Sequence, residues 1–453
     1  MPRQAVEQLT FNFLPDKPLV VQTKTRQMTT DPGLLLFRQY DQQWDYSRRL
    51  AACLTDDRQD PEHTILEMLR QRLYGILADY EDCNDHDTLR DDPIFKLLAD
   101  RLPEDDALAS QPTLSRFENA AGTCGGLQRM VDFLITTGIE RLAAKHGGRL
   151  PGEVTLDLDP TDDPCHGHQQ LVFWHGYYDQ YQYLPMVISE PTTQHVFLTW
   201  LRPGTLHAAK GAEDDLLRVA AALQAARPDI GIHVRGDADF GMPWMMDTCE
   251  QERFTYSFGL RSNPRLKRWA APLLARAIAQ YEQTNQKQRL FDCCDYQAAS
   301  WPRPRRVIAK AECHAGGTNL RFIVTSRPAA DAAAAEREYD AYVARGTSEQ
   351  RMDELKNGLH ADRLSCHRFK ANFLRLLLHA AAYNLLAGLR DDASLPPVLR
   401  RGQPCTWRTH VIKVAATVVT SCRRVLVELA GQWPWWRLFA GVHERVLLHP
   451  AGP

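Results

Sequence analysis

At 453 residues, 44% of them hydrophobic and 24% charged, the chain has globular composition and length for two or three domains, which excludes a fibrous or disordered class. No apolar run approaches the roughly 20 residues that cross a bilayer, and the opening MPRQAVEQLTFNF lacks the charged-then-apolar order of a secretory signal, so a cytoplasmic protein with no membrane partner is expected. The formal net charge of −2 excludes a uniform polycation, yet residues 56–118 carry 17 Asp/Glu against 7 Lys/Arg and residues 362–445 carry 13 Lys/Arg against 5 Asp/Glu, so a polyanion would meet local basic surfaces.

Residues 1–40 read as an extended arm without a sustained period. From 41 to 147 the pattern is helical. EHTILEMLRQRLYGILADY, DDPIFKLLADRL and TLSRFENAAGTCGGLQRMVDFLITTGIERLAAKH place apolar residues at three- and four-residue steps, and Asp or Thr precedes several runs as helix N-caps do. Such a region suits a DNA-end-binding domain of helix-turn-helix type and equally a plain bundle.

At about 152 the period changes to two. EVTLDLDP is a predicted strand with Thr155, Asp157 and Asp159 on one face and Val154, Leu156 and Leu158 on the other. LVFWHGYY, QYLPMVIS and HVFLTWLRPG read as further strands, EDDLLRVAAALQAAR as an amphipathic helix, DIGIHVRGD as a buried strand, PWMMDTCEQER as a helix and FTYSFGL as a strand. An interval at 261–305, rich in Arg, Lys, Gln and aromatic residues, precedes two strands, RVIAKAEC and LRFIVTS, and an alanine-rich helix. RFKANFLRLLLHAAAYNLLAGL is a strong helix, and the basic, Trp-rich region 391–453 reads as helical. The expected class is α/β, a mixed sheet covered by helices.

Eleven cysteines include no CxxC pair, and Cys293 and Cys294 are adjacent, which suits neither a disulfide framework nor a zinc site. The segment CHGH offers Cys165, His166 and His168 as zinc donors, but no second half-site follows at matching spacing.

In 342-YVARGTSEQRMDELK-356, Tyr342, Arg345, Glu349 and Lys356 stand at offsets 0, 3, 7 and 14. At about 100° per residue these fall within roughly 60° of one another on a continuous helix. An ordinary solvated face with an i, i+4 Arg/Glu pair would look the same. Gly346 is a weak helix residue, so Thr347 or Ser348 capping a helix that starts near Glu349 is an alternative.

Asp159 ends the first strand and Asp237 ends DIGIHVRGD, and strand ends are where sheets present working groups. The only adjacent basic partner is Arg235, two residues before Asp237. Acidic groups gathered without neutralising neighbours call for metal ions, and three carboxylates suit Mg²⁺ or Mn²⁺. Two such ions bridged by carboxylates suit in-line attack on a phosphodiester.

The spacing Tyr342-x2-Arg345-x3-Glu349-x6-Lys356 is similar to the Y-R-E-K signature of DDE transposases from bacterial insertion sequences. DLDPTDDPCHGHQ with the following Gly-Tyr-Tyr resembles the first-aspartate region of the thirteen-eighty group. VRGDADFG resembles its second-aspartate region, and ARGTSEQRMDELKNGLHADRLS its glutamate region.

This resemblance, over about 150–390, implies a ribonuclease-H-like catalytic domain at 148–390 with an insertion at about 261–330 before the glutamate. It implies Asp159, Asp237 and Glu349 as the catalytic, metal-binding triad for two Mg²⁺ or Mn²⁺ ions. Asp157 competes with Asp159, and Asp239, standing where the family has glycine, competes with Asp237. Tyr342, Arg345 and Lys356 would grip phosphates, and Trp301 would stack on an unpaired base or else lie in the core. The implied partners are double-stranded DNA, as terminal inverted repeats and target, and a second copy of the chain in a nucleoid-associated complex. The acidity of the helical region suggests that end recognition falls instead to Arg3, Lys17, Lys24 and Arg26 or to the basic C-terminal region. A structure-specific nuclease of the same fold, or a non-catalytic DNA-binding descendant, remains an alternative.

Overall fold

In the computed structural model, residues 8–11, 19–22, 27–391 and 395–448 are described. Arg3, Lys17, Lys24 and Arg26 lie outside them.

The helical region begins at residue 34, inside the segment expected to be an extended arm and seven residues before the expected start at 41. Its principal helices are α1 (Leu34–Trp44), α2 (Ile65–Leu77), α3 (Gln111–Ala121) and α4 (Cys124–Lys145). Thr64 and Glu67 form a reciprocal capping box on α2, and the Thr123 side chain caps α4, so the start signals act as expected. Asp92 caps the short helix Pro93–Leu98 in the same way.

Eight strands form the central sheet: β1 (Glu153–Pro160), β2 (Met186–Ser189), β3 (Val196–Trp200), β4 (Gly231–Gly236), β5 (Thr255–Leu260), β6 (Gln288–Tyr296), β7 (Arg305–His314) and β8 (Gly317–Thr325). Their order is β6-β7-β8-β5-β4-β1-β2-β3. β1, β4 and β5 run parallel and every other pairing is antiparallel. Order 3-2-1-4-5, with the first three strands a meander and the next two parallel to β1, is a ribonuclease-H-like core. Strands β8, β7 and β6 extend it by three.

Helices α5 (Ala212–Ala226), α6 (Pro243–Gln251), α7 (Pro264–Thr284), α8 (Ala332–Val343), α9 (Gly346–Asp353) and α10 (Phe369–Arg390) follow. Helix α10 is buried almost throughout and packs on α2, α3, α4 and β3. At the sheet edge Asn384 accepts from the Val196 amide at 2.9 Å and donates to its carbonyl at 2.8 Å, so a helix side chain satisfies a strand edge. Where α10 meets the N-terminal helices, Glu118 accepts from Arg72 at 2.8 Å and Arg375 at 2.7 Å in a fully buried triad.

Three expectations need correction. LVFWHGYY does not join the central sheet: Phe173–His175 pairs with Gln180–Tyr183 in a separate small sheet, and Pro185 divides the expected strand QYLPMVIS between the two sheets. The interval 261–305 contains a 21-residue helix, α7, and the edge strand β6, neither foreseen. The C-terminal region is not wholly helical: Ala416–Ser421 and Arg424–Leu429 form a hairpin to which Met28–Thr29 adds a third strand, before the helix Trp436–Leu448.

Candidate active site

β1 and β4 lie side by side in parallel register, so their C-terminal ends open on the same edge. Asp159 stands at the end of β1, and Asp237 directly follows β4. The turn after β4 is held from within. The Asp239 amide donates to Asp237 Oδ1 at 2.8 Å, and the ring of Phe240 is buried beside Phe258. A Cβ on Gly236 would meet the Phe240 ring at 2.7 Å, so the strand-end glycine leaves room for that ring.

Between α8 and α9 the backbone tightens instead of running as one helix. The Arg345 amide bonds to the Tyr342 carbonyl, and the Ser348 amide to the Arg345 carbonyl, both i to i−3. The break falls at 344–345, before Gly346, and Ser348 does not cap α9. Its hydroxyl donates to Asp159. After α9, Glu354–Gly358 forms a π-helical turn that carries Lys356.

Asp159, Asp237 and Glu349 line one open cavity of about 410 Å³ together with Arg345 and Lys356. Asp162, Asp353 and Asp362 line it too, giving six carboxylates against two cations. Arg345 bridges two of the candidate acids, with Nη1 at 2.6 Å from Asp159 and Nη2 at 3.5 Å from Glu349. Lys356 Nζ lies 2.8 Å from Asp162. Burial raises the Asp159 carboxyl above its ordinary range although Arg345 and Ser348 oppose the shift. Burial likewise raises Asp237, against the bond from the Asp239 amide. Glu349 is the exposed member.

Asp157 has a different environment. It is fully buried and accepts from Arg235 Nε at 2.7 Å and Nη2 at 2.9 Å, and from Arg351 Nη2 at 2.8 Å. Arg235, the one basic neighbour noted in sequence, therefore neutralises Asp157 and not either aspartate of the cavity. Asp239 pairs with Arg261 on the wall of an adjoining cavity of about 720 Å³, which shares Asp237 and Arg345 with the first. Tyr342 also lines that second space, its hydroxyl near Gly259, and burial raises its pKa.

Trp301 is not presented to a ligand. It is buried, edge-on to Tyr296 at 5.5 Å, with the Arg305 guanidinium 5.6 Å from its ring centre. Cys165 is buried while His166 and His168 are exposed, and no zinc trio forms there. Among the described residues, the one trio of metal-ligand type with atoms within 4.8 Å of one another is Asp79, Glu81 and His360. Two arginines already neutralise it, Arg408 at 2.7 Å from Asp79 and Arg363 on Glu81. The three candidate acids share their cavity without so close a gathering. Arg345 supplies the positive charge between Asp159 and Glu349.

Asp162, Arg351, Asp353 and Asp362 were not singled out in sequence, and Ser348 was considered only as a helix cap. Asp162 follows Asp159 by three residues and Ser348 precedes Glu349, which is a weak signal, and only the fold brings in Asp362.

A family model described as Transposase DDE domain group 1 matches residues 11–451. The chain belongs to this transposase family. No curated protein matches it. The solved structures it resembles include the piggyBac transposase synaptic complex with hairpin DNA, at 10% identity and TM-score 0.43 over 94% of this chain and 85% of that one. DDE transposase membership implies divalent metal use. The donor set fits, because Asp159, Asp237 and Glu349 offer hard carboxylate oxygens with neither thiol nor imidazole among the cavity's lining groups. No helix is long and apolar enough to cross a membrane among the described residues.

Proposed function

We propose that the chain is the DNA transposase of a bacterial insertion sequence, of the Y-R-E-K class and thirteen-eighty-like group. In this reading it cuts DNA at the element's terminal inverted repeats and joins the freed 3′ ends to target DNA, working as a homodimer that holds two ends. The observation that carries this reading is the meeting of Asp159, Asp237 and Glu349 around one cavity beside Arg345 and Lys356.

Asp159, Asp237 and Glu349 would hold two Mg²⁺ or Mn²⁺ ions, whose chemistry there would be to activate the attacking oxygen and stabilise the leaving one. The chain's own groups do the rest. Asp159 stands at the end of β1 and Asp237 directly follows the adjacent strand β4, so the sheet and the turn after β4 set their separation. Arg345 can grip a phosphate through two parallel hydrogen bonds, Lys356 acts as a compact charge, and Tyr342 adds a hydroxyl donor. Both cations now rest on carboxylates, Arg345 on Asp159 and Lys356 on Asp162, so DNA phosphate would take over existing ion pairs.

The test is incubation of the purified chain with a plasmid carrying its coding segment and both flanks, with and without Mg²⁺. Metal-dependent nicks at paired repeats, followed by joined products, are expected. Nicks without joined products would indicate a nuclease, and no cleavage a non-catalytic binder.

A further inference from the structure

Helix α7 carries charge that the active site does not use. Between 261 and 284 the chain has five cations, Arg261, Arg265, Lys267, Arg268 and Arg276, and one carboxylate, Glu282. Arg261 pairs with Asp239 at the wall of the cavity that contains Asp237. Arg265, Lys267, Arg268 and Arg276 are exposed, and none forms an ion pair with a described residue. Their contacts are of another kind: Arg265 donates to the Gln297 carbonyl at 3.0 Å and lies over the Tyr296 ring, and Arg268 Nε is 3.4 Å from the Pro264 carbonyl. Buried arginines of the catalytic domain are matched differently, since Arg235, Arg351 and Arg305 all rest on carboxylates.

The helix has a clear inner face. Leu266, Ala270, Leu273 and Ala277 are buried, and α7 packs on β6, β7 and β8. Arg265, Arg268 and Arg276, at offsets 0, 3 and 11, fall within roughly 80° of one another on the outside. Exposed Ala271 and Ala275 lie along the same side, so the long cations stand over a low surface. The positive end of the helix dipole is at this first turn, where Asn263 caps the Arg265 and Leu266 amides. Leu260 and Arg261 line the adjoining cavity, which shares Asp237 and Arg345 with the candidate catalytic one, and lead from it without a break to the basic turn.

We propose that this outer face of α7 is a contact surface for the phosphate backbone of duplex DNA extending past the catalytic cavity. The inference rests on the transposase reading, and adds to it a track that no catalytic residue supplies. Buried arginines with carboxylate partners serve the fold. Exposed cations without such partners, in a row that begins at the cavity, suit a repeating polyanion whose counterions they displace.

The experiment measures binding of the full chain to a 40-bp duplex of arbitrary sequence by fluorescence anisotropy, without divalent ions, across a salt series. The triple variant Arg265→Gln, Arg268→Gln, Arg276→Gln is compared with a scattered triple of equal charge change, Arg116→Gln, Arg149→Gln, Arg253→Gln. Each lost phosphate contact lowers the slope of log K against log salt by about 0.9, so the helix triple should lose about 2 to 3 in slope and roughly tenfold or more in affinity at about 0.1 M salt. The scattered triple should keep the wild-type slope. An unchanged slope in the helix triple, or an equal loss in both triples, overturns the proposal while leaving the transposase reading intact. Absence of salt-dependent duplex binding by the wild-type chain would remove both. Equal thermal midpoints for the two triples establish that the comparison concerns binding and not folding.

Discussion

Asp157 and Arg235 stand opposite each other on the parallel strands β1 and β4 and join through two hydrogen bonds of 2.7 and 2.9 Å, inside a sheet that excludes water. Two residues further along, Asp159 faces the cavity. Neighbouring acids on one strand face thus have different surroundings, one tied into a buried ion-pair network and one open to the cavity.

Asp157→Ala should therefore destabilise the protein by about 3–5 kcal/mol, because it leaves Arg235 and Arg351 as buried charges without their partner. Asp159→Asn should fold with near-normal stability and lose cleavage. Urea denaturation of both variants, beside a cleavage assay, checks the contrast. Comparable destabilisation of the two would contradict it.

Mg²⁺ should raise the thermal midpoint through the cavity acids. At free metal ten times Kd the gain is about 1.4 kcal/mol, and Asp237→Asn or Glu349→Gln should reduce or abolish it. Because burial raises the Asp159 and Asp237 carboxyls, protons compete with metal at higher pH than for ordinary carboxylates of about 3.9. The metal-induced shift should accordingly fade as pH drops, starting above that value. Arg345→Gln removes an influence that lowers the Asp159 pKa, so fading should begin at still higher pH. Differential scanning fluorimetry over a pH and Mg²⁺ grid measures this.

Asp163 is buried with neither carboxylate oxygen hydrogen-bonded, and burial together with the nearby Asp362 charge holds its pKa well above the usual range. A folded pKa above the unfolded one gives stability that is fully present below the unfolded value and is lost as pH rises through the folded value. Asp163→Asn never ionises. It should match the wild type near pH 4 and exceed it at pH 8 by on the order of 1 kcal/mol or more. Paired melting curves at the two pH values decide, and a variant less stable at pH 8 would refute the sign.

Trp301→Ala should cost about 3–5 kcal/mol, as a large core truncation does. Any loss of DNA processing should track that instability and be relieved at lower temperature. A fully stable variant with impaired DNA binding would return Trp301 to the ligand surface.

The period-two run EVTLDLDP, the buried strand DIGIHVRGD and the run of α10 were readable because alternation and length each specify one element. α7 was not, since an interior Pro272 and closely spaced cations obscure its apolar face. Spacing put Tyr342, Arg345, Glu349 and Lys356 on one side, but the tightening at 344–345 and the π turn at 354–358 are backbone adjustments that side-chain identity hardly signals. Nor did strand alternation separate Asp157 from Asp159. Both share a strand face, and only the register with Arg235 and the approach of Arg351 from α9 distinguish them. Trp301 was misleading for a similar reason, because flanking arginines resemble a nucleic-acid surface until Asp247 and Glu250 are seen to take Arg305.

The most direct measurement of the central claim is strand transfer from the element's own ends in Mg²⁺ by the wild type and by Asp159→Asn, Asp237→Asn and Glu349→Gln, each verified as folded by circular dichroism. Joined products are expected from the wild type, with a loss of at least about a thousandfold in every variant, as when a metal-holding group in phosphoryl transfer is removed. Joined products at the wild-type rate from any folded member of the three would contradict the claim.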